Sequence, residues 1–189
     1  MLFLKACFGL LSLLLFVPTL ASELSDKLQA PHYLLLMRHA YAPGVGDPQQ
    51  FQLGDCQTQR NLNSQGRLQA SNIGNWLKKQ GVTQAQVYSS PWCRCLETAQ
   101  LLNFSKVQTH SALSSFFNEM HKEQQTKLEL EKLMAEKIKT KQKNALIFVT
   151  HHVNIFALTG QNVDSADLVL VKLDINGKVV SHQVIAKPE

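Results

Sequence analysis

Two histidines and two arginines, far apart in the chain, stand where a buried strand would end or a helix would begin. His39 closes the run Tyr33-Leu34-Leu35-Leu36-Met37-Arg38, and His151 closes Ala145-Leu146-Ile147-Phe148-Val149-Thr150. Arg94 follows Ser89-Ser90-Pro91, three residues after a proline that stops one element and suits the first turn of another. Arginine forks match phosphoryl oxygens two at a time, so Arg38 and Arg94 read as an anion clamp. Two histidines exceed what anion binding needs. One could attack phosphorus as a neutral imidazole, kept neutral by the arginine charges, while the other meets the transferring oxygens as charge develops.

These residues can meet only if their strands lie side by side. Unbroken apolar runs without alternation suit strands covered on both faces, and strands alternate with helical patterns through most of the chain. The expected fold is therefore α/β: a three-layer α/β/α arrangement with a mostly parallel central sheet, helices on both faces and a C-terminal β-hairpin. The carboxyl ends of such strands share one edge, where ligands gather. After the first strand, Pro43, Gly44, Gly46 and Pro48 break the chain into a loop. Asn63 is a suitable N-cap for a helix burying Leu68, Ile73, Trp76 and Leu77, which Gly81 ends. A short strand over 86–90, a helix from Pro91 to Leu102 and a third short strand over 105–109 follow. A charged helix spans Lys122 to Lys143, with Leu128, Leu130, Leu133, Met134 and Ile138 as its apolar positions. The helix from Val153 is stopped by Gly160, and Leu168–Asp174 and Lys178–Ile185 flank Asn176-Gly177, a strong hairpin signal.

The chain has 189 residues, 44% of them hydrophobic, enough for one domain with its own core. Lys5 followed by an apolar stretch, Pro18 and Thr19-Leu20-Ala21 reads as a signal peptide over 1–21, cleaved before Ser22. The apolar core is shorter than the ~20 residues a membrane span needs. Residues 22–31 read as a loose leader and 32–189 as a single domain. The expected location is outside the cytoplasm, in a bacterial periplasm, with no membrane span after cleavage. Losing Lys5 takes the net charge from +5 to +4, which suits an anionic small molecule and is too weak to argue for nucleic acid. The mixed charges over 122–143 are a solvated helix face. Export places Cys56, Cys93 and Cys95 in an oxidising compartment; the spacing leaves Cys56 paired with either Cys93 or Cys95. A C-x-C pair and adjacent His151-His152 do not make a metal site, and no cofactor motif is present.

Four segments together resemble the histidine phosphatase superfamily, which has the phosphoglycerate-mutase-like fold. Met37-Arg38-His39-Ala40 is similar to its R-H-G signature, and Ser90-Pro91-Trp92-Cys93-Arg94-Cys95-Leu96-Glu97-Thr98-Ala99 to its S-P-x-x-R-x-x-E-T-A element. Leu62-Asn63-Ser64-Gln65-Gly66-Arg67-Leu68-Gln69-Ala70 resembles L-T-x-x-G-x-x-Q-A, and Val149-Thr150-His151 resembles V-S-H. They fall in the family's order and cover residues 32 to about 160. The resemblance implies a small exported member that hydrolyses a phosphomonoester or phosphoamide through a phosphohistidine, without a metal. It makes His39 the nucleophile, Arg38 and Arg94 the phosphate clamps, His151 the second histidine and Arg60 a further phosphate contact.

Three departures bear on activity. Ala40 replaces a glycine, which matters only if the backbone there needs a positive φ. His152 replaces another glycine and alters one pocket wall. The family's acid-bearing segment is not recognisable; Glu119 falls in the right order to protonate a leaving group, with Glu123 as its rival. His32, His110, His121 and His182 read as surface or satisfied histidines, the Phe116-Phe117 pair as core, and Trp92 as packing. The leading expectation is a phosphatase acting on a small phosphorylated substrate. A catalytically retired phosphate-binding module is the alternative, and a phosphomutase a weaker one.

Overall fold

The computed structural model describes residues 20–188. One six-stranded sheet, ordered β3-β2-β4-β1-β5-β6, organises them. The strands are β1 (Tyr33–Arg38), β2 (Ala85–Ser89), β3 (Gln108–Thr109), β4 (Ala145–Thr150), β5 (Leu168–Leu173) and β6 (Val179–Ile185). β1, β2, β3 and β4 pair in parallel, whereas β5 runs antiparallel to both β1 and β6. Register Met37↔Val149 and Arg38↔Thr150 sets the ends of β1 and β4 level, so His39 and His151 leave the sheet side by side.

Period-two alternation divides the core. Leu35, Met37, Ile147 and Val149 face the helices α1 (Leu20–Gln29), α2 (Ser64–Lys79) and α3 (Cys93–Leu101). Leu34, Leu36, Leu146 and Phe148 face α4 (Glu123–Lys139) and α5 (His152–Thr159). The three-layer α/β architecture and the C-terminal hairpin read from the sequence are therefore present. The hairpin turns through Asp174–Lys178, where the Asp174 carboxylate accepts from the Asn176 and Lys178 amides.

Several local expectations are corrected. The segment expected to be a loose leader is helical to Gln29, because Leu24 and Leu28, four residues apart, bury against the sheet. The signal-peptide reading falls on residues outside the described ones, except for Leu20 and Ala21, where α1 begins. Leu68 is 63% exposed: the buried stripe of α2 is Gly66, Ala70, Ile73, Gly74 and Leu77, and Leu68 lies off it. Asn63 does cap α2, its side chain accepting from the Gly66 amide. Gly66 is required by close approach, since a Cβ there would lie 2.0 Å from the Tyr41 carbonyl oxygen. That contact seats the start of α2 on the loop leaving β1. The charged helix is shorter than read, ending at Lys139, with Leu128 exposed.

Candidate active site

Arg38, His39, Arg94 and His151 converge at the carboxyl edge of the sheet, on a cavity of about 930 Å³. Backbone bonds hold the first histidine on both sides: His39 N donates to Thr150 O at 3.0 Å, and Ala166 N donates to His39 O at 3.1 Å. Its Nδ1–H donates to the Ala40 carbonyl at 2.8 Å, which fixes the tautomer and leaves the Nε2 lone pair available. Ala40 itself is buried, with its amide bonded to Thr98 Oγ1 at 3.0 Å, and it is not among the residues of positive φ. The glycine of the R-H-G pattern is therefore dispensable here. Thr98 also donates to Arg94 O at 2.6 Å, linking the two motifs through one hydroxyl.

Arg94, in the first turn of α3, is the hub. Its Nε donates to His39 Nε2 at 3.2 Å and its Nη2 to His151 Nδ1 at 3.4 Å. His151 Nε2 consequently carries the ring proton and donates to Ser90 Oγ at 2.8 Å. The ring centroids of the two histidines are 5.6 Å apart. Burial, and then the Arg94 charge, lower the pKa of His39 to about 3 and hold His151 well below its ordinary range. Both rings are neutral at physiological pH, the form a nitrogen nucleophile needs.

The remaining arginines differ in what they have left to give. Arg38 Nη1 donates to Val163 O at 2.7 Å, but its buried Nε has no partner among the described residues. An unsatisfied buried donor is costly, and Arg38 lines the cavity with its Nη2 also free of hydrogen bonds among the described residues. Arg60 spends Nε on Gly46 O and Nη1 on Ala42 O, so it shapes the loop after β1 as well as lining the cavity. Only its Nη2 makes no hydrogen bond among the described residues.

Sequence reasoning missed Asp47. It lies on the Gly/Pro-rich loop, where no motif marks it, yet its carboxylate accepts from Arg94 Nη1 at 2.8 and 3.1 Å, Trp92 Nε1 at 3.1 Å and the Arg60 amide at 3.0 Å. A carboxylate between two arginines is the one signal that could have found it, and the arginines are distant in sequence. Cys56–Cys93 is the disulfide, clipping the same loop to α3. Cys95 is a free buried thiol, its pKa pushed up to about 12 by burial. Trp92 and Phe117 both line the cavity, so the reading of Phe117 as core is corrected, while Phe116 beside it is buried. His152 forms part of the wall, bonded to Asn162 Oδ1 at 3.1 Å.

Glu119 reaches the mouth of the cavity and no deeper. Its half-exposed carboxylate pairs with Lys122, and that hydrogen bond lowers its pKa. Glu123 begins α4 and does not line the cavity. Among the described residues no cluster of three or more His, Cys, Asp or Glu side chains could hold a metal ion.

The family model of the histidine phosphatase superfamily (branch 1) matches residues 34–146, more than half of the chain. The chain belongs to that superfamily. The match includes His39 and Arg94 and stops short of His151. No curated protein sequence matches this chain. Among solved structures, the protein histidine phosphatase SixA complexed with tungstate is 18% identical, with a TM-score of 0.55, covering 82% of this chain and 95% of its own. Mycobacterial hydrolase 1 is 15% identical with a TM-score of 0.61, covering 84% and 98%. A mycobacterial glucosyl-3-phosphoglycerate phosphatase complexed with VO3 is 13% identical with a TM-score of 0.56, covering 82% and 98%. At these identities the likeness is one of fold, and this histidine phosphatase superfamily member shares it over nearly the whole length of each neighbour.

Proposed function

We propose that this chain is an exported, metal-independent phosphatase that cleaves a phosphomonoester or phosphoamide through a phosphohistidine on His39. The observation that carries the reading is the His39 ring. Nδ1–H is held by the Ala40 carbonyl, and the Nε2 lone pair points at a guanidinium in a site with an unsatisfied Arg38 donor. A phosphoryl group arriving at Nε2 takes the Arg94 Nε–H onto one of its oxygens and another oxygen onto Arg38. The Nε2–P bond then forms as the bond from phosphorus to the leaving oxygen or nitrogen breaks, and the leaving group keeps that electron pair. The ring becomes cationic, and the Ala40 carbonyl accepting from Nδ1 stabilises it. Water next attacks phosphorus, the Nε2–P bond breaks, and phosphate and a proton leave. His151, beside His39, meets the oxygens of the group in transit.

Two fold neighbours were solved as oxyanion complexes, tungstate in one and VO3 in another, which supports oxyanion binding by this fold. Export draws support from the N-terminal signal pattern and from the Cys56–Cys93 disulfide. No helix among the described residues is long and apolar enough to cross a membrane. A second reading, a phosphate-binding module without turnover, draws on Glu119, whose pairing leaves it no proton to donate.

The test is hydrolysis of 4-nitrophenyl phosphate by the mature protein, with and without a chelator, beside His39→Ala. Chelator-resistant turnover that is lost in the variant is expected. Turnover retained in His39→Ala rejects the phosphohistidine, and vanadate binding without any turnover favours the binding module.

A further inference from the structure

The cavity has two chemically distinct parts, and the mechanism uses only one. All its arginines, Arg38, Arg60 and Arg94, surround the phosphate position, and no lysine lines it among the described residues. It is also lined by Val45, Leu53 and Phe117, all substantially exposed, and by Phe51, whose ring lies 5.8 Å from that of Trp92, which in turn packs 5.3 Å from the His151 ring. Single apolar residues at a surface are ordinary, but five lining one cavity give it substantial apolar surface. The two sides meet: a Cβ on Gly46 would lie 4.0 Å from Phe117 Cε1, so the loop carrying Val45 and the segment carrying Phe117 close one wall. Buried Phe116 anchors that segment from beneath.

Apart from the arginines, the charged side chains lining the cavity are carboxylates, the wrong sign for a second anion. Glu119 and Asp164 line the cavity, and Glu119 already holds Lys122. Beyond the arginines, a second phosphate or a carboxylate on the substrate would find carboxylates, apolar side chains, His152 and the uncharged Gln49, Ser115, Asn118 and Asn162.

We infer that this apolar surface is a leaving-group subsite for a bulky, uncharged, apolar or aromatic body carrying a single phosphate. The inference rests on the phosphatase reading for the position of the phosphate, and it names the substrate class of that same site. Bisphosphates, nucleoside polyphosphates and phosphorylated acids are disfavoured by the same lining. A volume near 930 Å³ exceeds what a phosphate fills and suits a ligand of two or more rings.

Phosphonates, whose P–C bond this chemistry does not cleave, separate the subsite from turnover. Calorimetric titration of the mature protein with methylphosphonate, phenylphosphonate and 4-biphenylylphosphonate should show affinity rising about tenfold per ring, as apolar area leaves water. Phe117→Ala and Leu53→Ala should each flatten that rise, whereas Leu68→Ala, on the exposed side of α2, should keep it. Affinity that is level or falls with ring number overturns the subsite, as does methylenediphosphonate, equally resistant to this chemistry, binding more tightly than phenylphosphonate. Ring-dependent binding without hydrolysis of 4-nitrophenyl phosphate would uphold the subsite and reject the phosphatase. No binding of any phosphonate, the methyl compound included, rejects both.

Discussion

Asp47 and Arg94 form an ion pair in which Nη1 alone reaches both carboxylate oxygens, at 2.8 and 3.1 Å, with almost no access to water, their side chains being 5% and 3% exposed. The pair aligns Arg94, whose other two nitrogens reach His39 and His151. Removing one partner of a buried pair strands the other charge, which typically costs about 3–5 kcal/mol. Asp47→Asn should therefore destabilise the fold by about that amount in urea denaturation. It should also lower kcat at least several-fold without raising KM, since an uncompensated Arg94 still attracts phosphate but no longer holds both imidazoles. Wild-type kcat and stability in this variant would detach Asp47 from the catalytic geometry.

His39 is neutral in the fold because its pKa lies at about 3, against an ordinary value of 6.5. The unfolded chain binds that proton first, so its contribution to stability is complete above pH 6.5 and is lost as pH falls toward 3. Between pH 7 and pH 5 the loss from this one group is about 2 kcal/mol. Removal of the imidazole in His39→Gln should take that share out of the stability profile and leave the slope due to His151, which is also held neutral. The acid limb of kcat should also lie well below about pH 6; a limb centred near the ordinary histidine value of about 6.5 would mean that His39 titrates normally.

The Cys56–Cys93 bond ties the loop carrying Asp47 and Arg60 to the start of α3, where Trp92 and Arg94 sit. The residues are 37 apart in sequence, and closing a loop of that length in the unfolded chain is worth about 4 kcal/mol. Reduction, or Cys56→Ser, should lower stability by up to that amount and raise KM as the loop loosens. Non-reducing peptide mapping should recover a fragment linking Cys56 to Cys93, and a free Cys95. Linkage of Cys56 to Cys95 would contradict this arrangement.

What the sequence discloses follows from where the information is local. Two apolar runs ending in Arg-His and Thr-His specify buried parallel strands and their shared edge, so Arg38, His39 and His151 are legible, as is Arg94 at a helix start. Asp47 is not, because its meaning comes from Arg94 and Trp92, far along the chain and across a loop without periodicity. Leu68 misleads because apolar character alone would place it on the inner face of α2. That face is instead occupied by the small residues Gly66, Ala70 and Gly74, which let backbone approach closely. The polar segment after residue 21 reads as unstructured, yet Leu24 and Leu28 suffice to dock α1. Phe117 differs from Phe116 only in which way an irregular segment turns, and periodicity says nothing about such a segment.

Glu119 supplies the last test, because its pairing with Lys122 decides how the leaving group departs. A carboxylate held ionised cannot deliver a proton, so the developing negative charge stays on the departing atom. Rates should then depend steeply on the leaving group's own acidity, aryl esters being cleaved orders of magnitude faster than alkyl esters of similar bulk. Glu119→Gln should change turnover of either class by no more than about twofold, since Gln preserves the size of a group that gives no proton; general acid catalysis would be worth about 10²–10⁴. Comparison of kcat/KM for 2-naphthyl phosphate and its fully reduced decalinyl counterpart, in wild type and Glu119→Gln, reads both. Similar rates for the two esters, with the decalinyl rate collapsing in the variant, would make Glu119 the proton donor after all.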